Sequence, residues 1–118
     1  MGEYDDFGAM LERAKSLDTS VKELEMLTQV GDRFICVFVA KNPNTPEELR
    51  VALTSDIHHW SVRYVAVALL ETRKDVIKHV AIFDKDKSVR EVAEWNDALT
   101  EEDRRDIRFL RKQYGIEQ

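Results

Sequence analysis

The sequence predicts an all-α fold, a short right-handed α-solenoid of about three degenerate two-helix repeats closed by N- and C-terminal capping helices. Three observations carry that expectation. A short pattern occurs three times at nearly even separation, as Val39-Ala40, Val65-Ala66 and Val92-Ala93. Each pair follows an apolar position (Leu27, Leu53, Val80) at one fixed offset and a threonine (Thr19, Thr45, Thr72) at another. A period of this length marks stacked units, none of which can bury its apolar face alone. Apolar residues within the units recur at helical spacing. The composition also leans helical, with 35% charged and 43% apolar residues, four glycines and two prolines among 118 residues. The expected division is a cap over residues 1–17, three repeats over 18–96 and a capping helix over 97–118, together one domain large enough for a core.

The elements follow in order. Residues 5–17 read as a helix, with Phe7, Met10, Leu11, Ala14 and Leu17 on one face and Asp5 or Asp6 as the cap. Asp18-Thr19-Ser20 breaks and recaps the chain, and Val21, Leu24, Leu27 and Val30 line a second helix ending near Gly31. Phe34 to Ala40, read alone, resembles a buried strand. Its register with residues 60–70 and 87–95, where Val62, Val65, Ala66 and Leu69 share a helical face opposite Arg63, Tyr64, Val67 and Ala68, predicts a helix instead. Asn42-Pro43-Asn44-Thr45-Pro46 punctuates the chain: Pro43 stops one helix, Asn44 or Thr45 caps the next, and Pro46 takes its first position. Glu47 and Glu48 favour the positive end of that helix, and Leu49, Ala52 and Leu53 turn inward. The third unit repeats the plan with Thr72, Val76, Ile77, Val80 and Ala81, followed by the polar connection 84–88. Thr100 to Asp103 resembles a capping box that opens a last helix, striped by Ile107, Leu110 and Tyr114 and closed by Gly115.

Val39-Ala40-Lys41-Asn42-Pro43-Asn44-Thr45-Pro46-Glu47-Glu48-Leu49, followed by Leu53, Asp56 and Val62-Arg63-Tyr64-Val65-Ala66, resembles the leucine-rich repeat variant family. Units of that family read roughly V-A-x-N-P-x-T-P-x-x-L, then L, D and V-R-x-x-V-A. The resemblance implies a curved helical solenoid related to HEAT and armadillo arrays, in which Asn42, Pro43, Thr45, Pro46, Arg63 and Arg90 are structural repeat residues. The first unit departs from the pattern with Val37 in place of Arg, and the third has Trp95-Asn96 near the Asn-Pro turn. Some family members carry a cysteine-bound iron–sulfur cluster; Cys36 is the sole cysteine here, so that feature does not transfer. The family pattern speaks to fold and is nearly silent on function.

The formal charge of −5 resides in the segment 1–32, which holds eight acids and three bases. An acidic chain without a basic stripe lacks the electrostatic footprint of a nucleic-acid binder. The N-terminus reads as neither a signal peptide nor a myristoylation site. The longest apolar run, Phe34 to Ala40, is too short to span a bilayer, so no membrane association is expected. A lone cysteine fits a reducing cytoplasm, and in its apolar run Cys36 is expected to be a buried, inert thiol.

No catalytic residues, metal site or cofactor are expected. His58-His59-Trp60 is the most conspicuous tripeptide, but adjacent residues diverge, His79 is the only other histidine, and no ligand spacing recurs. Arg63 and Arg90 are expected to pair with an aspartate in their own connection, such as Asp56 or Asp86. Arg104, Arg105, Arg108, Arg111 and Lys112 make the last helix locally basic and are the residues a nucleic-acid-binding reading would use, although acids neutralise its first half and late bases suit the helix dipole. The repeat register stacks outward positions of the second helices into rows: Phe34, Trp60 and Lys87; Phe38, Tyr64 and Glu91; Lys41, Val67 and Glu94. Phe34, Phe38, Trp60 and Tyr64 thus form an aromatic patch that either faces a partner or lies under the N-terminal helix. The expected function is non-enzymatic protein binding by an adaptor or small regulatory subunit, as a monomer or weak homodimer. The acid-rich segment 1–32 would favour a basic partner. The rivals are nucleic-acid binding, a dispersed enzyme site and self-association.

Overall fold

Helix-start chemistry sets the architecture. The computed structural model describes residues 6–116, which form eight helices and no strand. They are α1 (Phe7–Lys15), α2 (Val21–Thr28), α3 (Arg33–Lys41), α4 (Glu47–Ala52), α5 (Trp60–Ala68), α6 (Lys74–Phe83), α7 (Lys87–Glu94) and α8 (Glu101–Gln113). Asp6, Ser20, Asp32, His59, Asp86 and Thr100 each accept a backbone N–H at the start of the helix they precede. Asp5, the other candidate cap of α1, lies outside the described residues. Thr100 and Asp103 form a reciprocal capping box, as the sequence predicts. Helix α6 has no side-chain cap; the turn that leads into it is held by Glu47 Oε2, on α4, which accepts from the backbone N–H groups of Glu71, Thr72 and Arg73.

The strand-like run Phe34 to Ala40 is helical. Asp32 accepts the Phe34 and Ile35 N–H groups, and Ile35, Cys36, Val39 and Ala40 are buried at i, i+4 spacing while Phe34 stays outside. Helices α3, α5 and α7 contact one another in series, with α1 against α3. Helices α2, α4 and α6 each contact the helix that follows, and α8 packs on α6. The molecule is elongated, measuring 52 × 22 × 15 Å.

Two apolar clusters share α5. The first joins Ala14, Leu24, Leu27, Ile35 and Val39 to Leu53, Val62 and Ala66; the second joins Val67, Leu70, Ile77 and Val80 to Val89, Ala93 and Ile107. Each fully buried leucine or isoleucine contributes about 1.5–3 kcal/mol relative to an exposed one. The recurrent threonines close the units. Thr19 donates its hydroxyl to the Arg13 carbonyl and Thr45 donates to Val39, each six positions back. Thr72 departs from this pattern and donates to Glu47.

The structure corrects several expectations. Pro46 is the N-cap residue of α4, one place earlier than its expected first helical position, because the Thr45 hydroxyl is turned back to Val39. Phe7, Leu17, Val21, Val30, Ala52, Leu69 and Tyr114 are exposed, since they lie at or beyond helix ends, where the chain turns away from the core. Val67 is buried because α5 is flanked by both α3 and α7, so it is not an outward position; Glu94 is also buried. Arg63 is buried too, but the carboxylate it hydrogen-bonds is Asp84, at the start of the next connection, and neither Asp56 nor Asp86.

Candidate functional site

The aromatic residues collect at the start of α3 and α5, which lie side by side. Phe34, Trp60 and Tyr64 are 52%, 46% and 37% exposed, and Phe38 is half-buried against the first core cluster. The N-terminal helix leaves Phe34, Trp60 and Tyr64 open and partly covers Phe38 through Lys15, whose Nζ sits 4.7 Å from the Phe38 ring centre. Lys41 lies 5.7 Å from the same ring, and the Arg33 guanidinium lies 5.0 Å from the Phe34 ring. Cations over ring faces are attracted by the aromatic quadrupole.

His59 sits between the two helices. Its Nδ1 caps α5 by accepting the Ser61 N–H at 3.1 Å, and Nε2, which bears the proton of the neutral ring in that arrangement, lies 3.0 Å from Arg33 Nη1 as a proximity of two donors. The His59 ring lies 5.6 Å from that of Trp60, which meets Tyr64 edge-on at 6.4 Å and 85°. A chain of contacts therefore runs Phe34, Arg33, His59, Trp60, Tyr64 across two helices. His58 does not join it: burial and the nearby Arg63 charge hold its pKa below the ordinary value. Among the described residues, no group of three or more His, Cys, Asp or Glu side chains could hold a metal ion, and no helix is long and apolar enough to cross a membrane.

The other candidates fall into structural contacts. Asn42 Nδ2 donates to the carbonyls of Ala14 and Ser16, tying the end of α1 to the end of α3. Pro43 and Pro46 are exposed beside it, and Thr45 is buried. Arg63 makes a bidentate pair with Asp84 at 2.9 and 3.0 Å and donates to the His58 carbonyl; Arg90 donates to the Asp84 carbonyl. Burial, aided by the Asp32 charge, pushes the Cys36 thiol up to about 11, so it is no nucleophile near neutral pH.

The basic residues of α8 separate. Arg111 is 2% exposed and donates to Glu94, to the Ala81 carbonyl and to the Arg90 carbonyl. Arg108 pairs with Glu94, and Arg104 pairs with Glu101 while stacking over Trp95. Arg105 and Lys112 are exposed.

Sequence reasoning missed three features. Asn96 does for α7 what Asn42 does for α3, donating to the carbonyls of Val67 and Leu70 at the end of α5. The Trp95-Asn96 dipeptide, one place out of register with Asn42, is its signal in the sequence. Asp84 and Glu94 act as buried hubs, and nothing in their local sequence distinguishes them from solvated acids. The Lys15, Arg33 and Lys41 cluster combines residues from two elements and has no contiguous motif.

An open groove of about 580 Å³ lies between the turn after α4 and the outer side of α6, lined by Asp56, Asp75, His79 and Phe83 among others. Arg73 pairs with Asp75 and holds its carboxyl down at about 2, and Asp84 at the same groove is spent on Arg63. Asp56 and His79 complete its titratable lining, with the His79 ring 5.0 Å from that of Phe83. No protein-family model matches the chain, and neither a curated protein nor a solved structure matches it.

Proposed function

We propose that this protein is a non-enzymatic protein-interaction module, an adaptor or small regulatory subunit, built as a short right-handed α-solenoid resembling the leucine-rich repeat variant and HEAT-like arrays. The succession α3, α5, α7 and the side-chain clasps at Asn42 and Asn96 support the repeat reading. Helices α1 and α8 then act as caps over the exposed ends that a stack leaves. A buried, unreactive Cys36 suits a reducing cytoplasm.

The observation that carries the binding reading is the set of exposed rings Phe34, Trp60 and Tyr64 on two adjoining helices, with Arg33 and His59 between Phe34 and Trp60. Large, rigid rings bury area on a partner at low entropic cost, and Trp and Tyr are enriched among residues that dominate interface energetics. The nucleic-acid alternative has less support, because Arg111 is enclosed and Arg104 and Arg108 are engaged with acids.

The test compares wild type with a Trp60→Ala, Tyr64→Ala double variant of unchanged circular dichroism in affinity capture from nuclease-treated host lysate. A protein retained by wild type and lost from the variant is the expected result. Equal recovery by both would move the interaction surface elsewhere. Capture of nucleic acid alone, seen only without nuclease, would favour the α8 alternative.

A further inference from the structure

Resting on that interaction reading, we infer that the aromatic face selects an acidic partner: a peptide whose apolar side chains pack on Trp60, Tyr64 and Phe34 while its carboxylates meet Arg33, Lys41 and Lys15. The chain as a whole carries −5, and its acid-rich segment 1–32 suggests a basic partner. Charge near the aromatic face has the opposite sign. On α3, α5 and α7 the exposed charged side chains are Arg33, Lys41 and Lys87 against a single acid, Glu91. Lys15 of α1 adds a fourth cation directly over Phe38. Asp32 and Asp86, half-buried at the starts of α3 and α7, keep their charge while accepting N–H groups, so the four cations still outnumber the three acids Glu91, Asp32 and Asp86.

The spacing narrows the ligand. Arg33 and Lys41 stand at opposite ends of α3, about 12 Å apart along the axis at ~1.5 Å per residue. A peptide with carboxylates separated by two helical turns, or by about four residues if extended, spans that interval with apolar anchors between them. Exposed cations beside an apolar edge set partner choice and encounter rate, because like-charged partners are repelled before they dock.

Single-stranded nucleic acid fits less well. Base stacking uses successive open ring faces. Here Arg33 lies over Phe34, Lys15 and Lys41 lie over Phe38, and Trp60 and Tyr64 stand at 85° to each other.

The experiment uses the full chain in a Trp95→Phe background, which leaves Trp60 as the sole tryptophan. Trp60 fluorescence is followed while adding a synthetic peptide of three Glu-Leu-Asp-Phe blocks, and isothermal titration gives the affinity. Matched peptides carry Gln or Lys at every acidic position. The inference expects saturable binding of the acidic peptide, weakened by salt and lowered about 10-fold by Arg33→Glu with Lys41→Glu. The Arg33→Gln, Lys41→Gln pair, checked by circular dichroism, gives a smaller loss and serves where charge reversal disturbs folding. Equal binding of the Gln peptide, preference for the Lys peptide, or acidic binding indifferent to both variant pairs would overturn the acidic assignment while leaving the interaction reading standing. Failure of all three peptides would overturn the acidic assignment. If oligothymidylate or phosphatidylserine vesicles then quench Trp60, the interaction reading fails as well.

Discussion

In the N-terminal half, α1 is tied to α3 by a neutral amide: Asn42 donates to two carbonyls at the end of α1, and Asn44 adds a bond to Leu17. In the C-terminal half, a similar amide at Asn96 is joined by buried charge. Arg63 and Asp84 link α5 to the end of α6, and Arg111 and Glu94 link α8 to α7. Asp103 on α8 takes both Lys74 and Lys78 of α6. The difference follows from what each half must close. The first cluster is closed by apolar side chains, and its ion pair, Arg13 of α1 with Glu23 of α2, is only half-buried. The second must hold a 13-residue helix of low hydrophobicity, EEDRRDIRFLRKQ, whose buried residues are Asp103, Ile107 and Arg111. With a single apolar anchor among them, α8 is held largely by ions whose worth depends on every partner staying in place.

The sharpest way to break that contrast is to remove one member of a buried pair. Arg63→Met leaves Asp84 enclosed and unpaired, and is expected to cost about 3–5 kcal/mol. That is a large share of a typical domain stability of roughly 5–15 kcal/mol. Urea unfolding followed by circular dichroism measures it. Arg63→Met with Asp84→Leu should recover most of the loss, since a buried pair replaced by apolar groups of similar volume is often close to neutral. A remainder of about 1–3 kcal/mol is expected, because Arg63 also serves the His58 carbonyl and Asp84 also accepts the Asp86 N–H. If the double variant is as weak as the single one, charge pairing is not what holds this half.

The two amides offer a matched comparison at smaller scale. Asn42→Ala and Asn96→Ala each strip side-chain donors from carbonyls of a neighbouring unit, and each is expected to cost about 1–3 kcal/mol. Similar losses would mean one device serves both halves. A much larger loss at Asn96 would mean that the charged contacts depend on it.

These residues also show what could be read from sequence. Helical spacing and the shared register were enough to identify the helix at Arg33–Lys41 despite its strand-like composition. The capping box at Thr100 was legible because it is local. Val67 was not, because a wheel drawn for one buried face fails on a helix flanked on two sides. The partner of Arg63 was not, because Asp56 is nearer in sequence and Asp86 lies at almost the same separation as Asp84, which the structure selects. Arg111 reads as a solvated helix-end cation, and only the approach of Glu94 from α7 makes it a core residue. The aromatic residues were identifiable from the repeat register; their cationic surround needed the packing of α1 on α3 to become visible.

Acid titration tests the ionic half without mutation. Hydrogen bonds from Lys78, from the Thr100 backbone and from Lys74 hold the Asp103 carboxyl below the ordinary range. A carboxyl with a depressed folded pKa contributes stability that is present above its unfolded value and is lost as pH falls towards the folded one. Stability should therefore decline as pH drops below about 4, and Asp103→Asn should flatten that decline in thermal melts. His58 adds an earlier effect of the same sign. Its pKa is lowered from 6.5 by burial and by Arg63, so its contribution is full above that value and diminishes below it. His58→Gln should remove that shoulder alone.

The smallest stability effect belongs to the aromatic face. Trp60 and Tyr64 are substantially exposed; their rings meet each other, and the Trp60 ring also neighbours His59. Trp60→Ala with Tyr64→Ala forfeits one edge-on ring contact, worth about 0.5–1.5 kcal/mol when fully formed and less at an open surface. Unfolding midpoints should shift by correspondingly little, whereas peptide binding should fall by an order of magnitude or more. That dissociation separates a surface kept for a partner from one kept for the fold. A stability loss comparable to Arg63→Met would assign Trp60 and Tyr64 to the packing of α3 on α5 and deprive the proposed interaction surface of its main support.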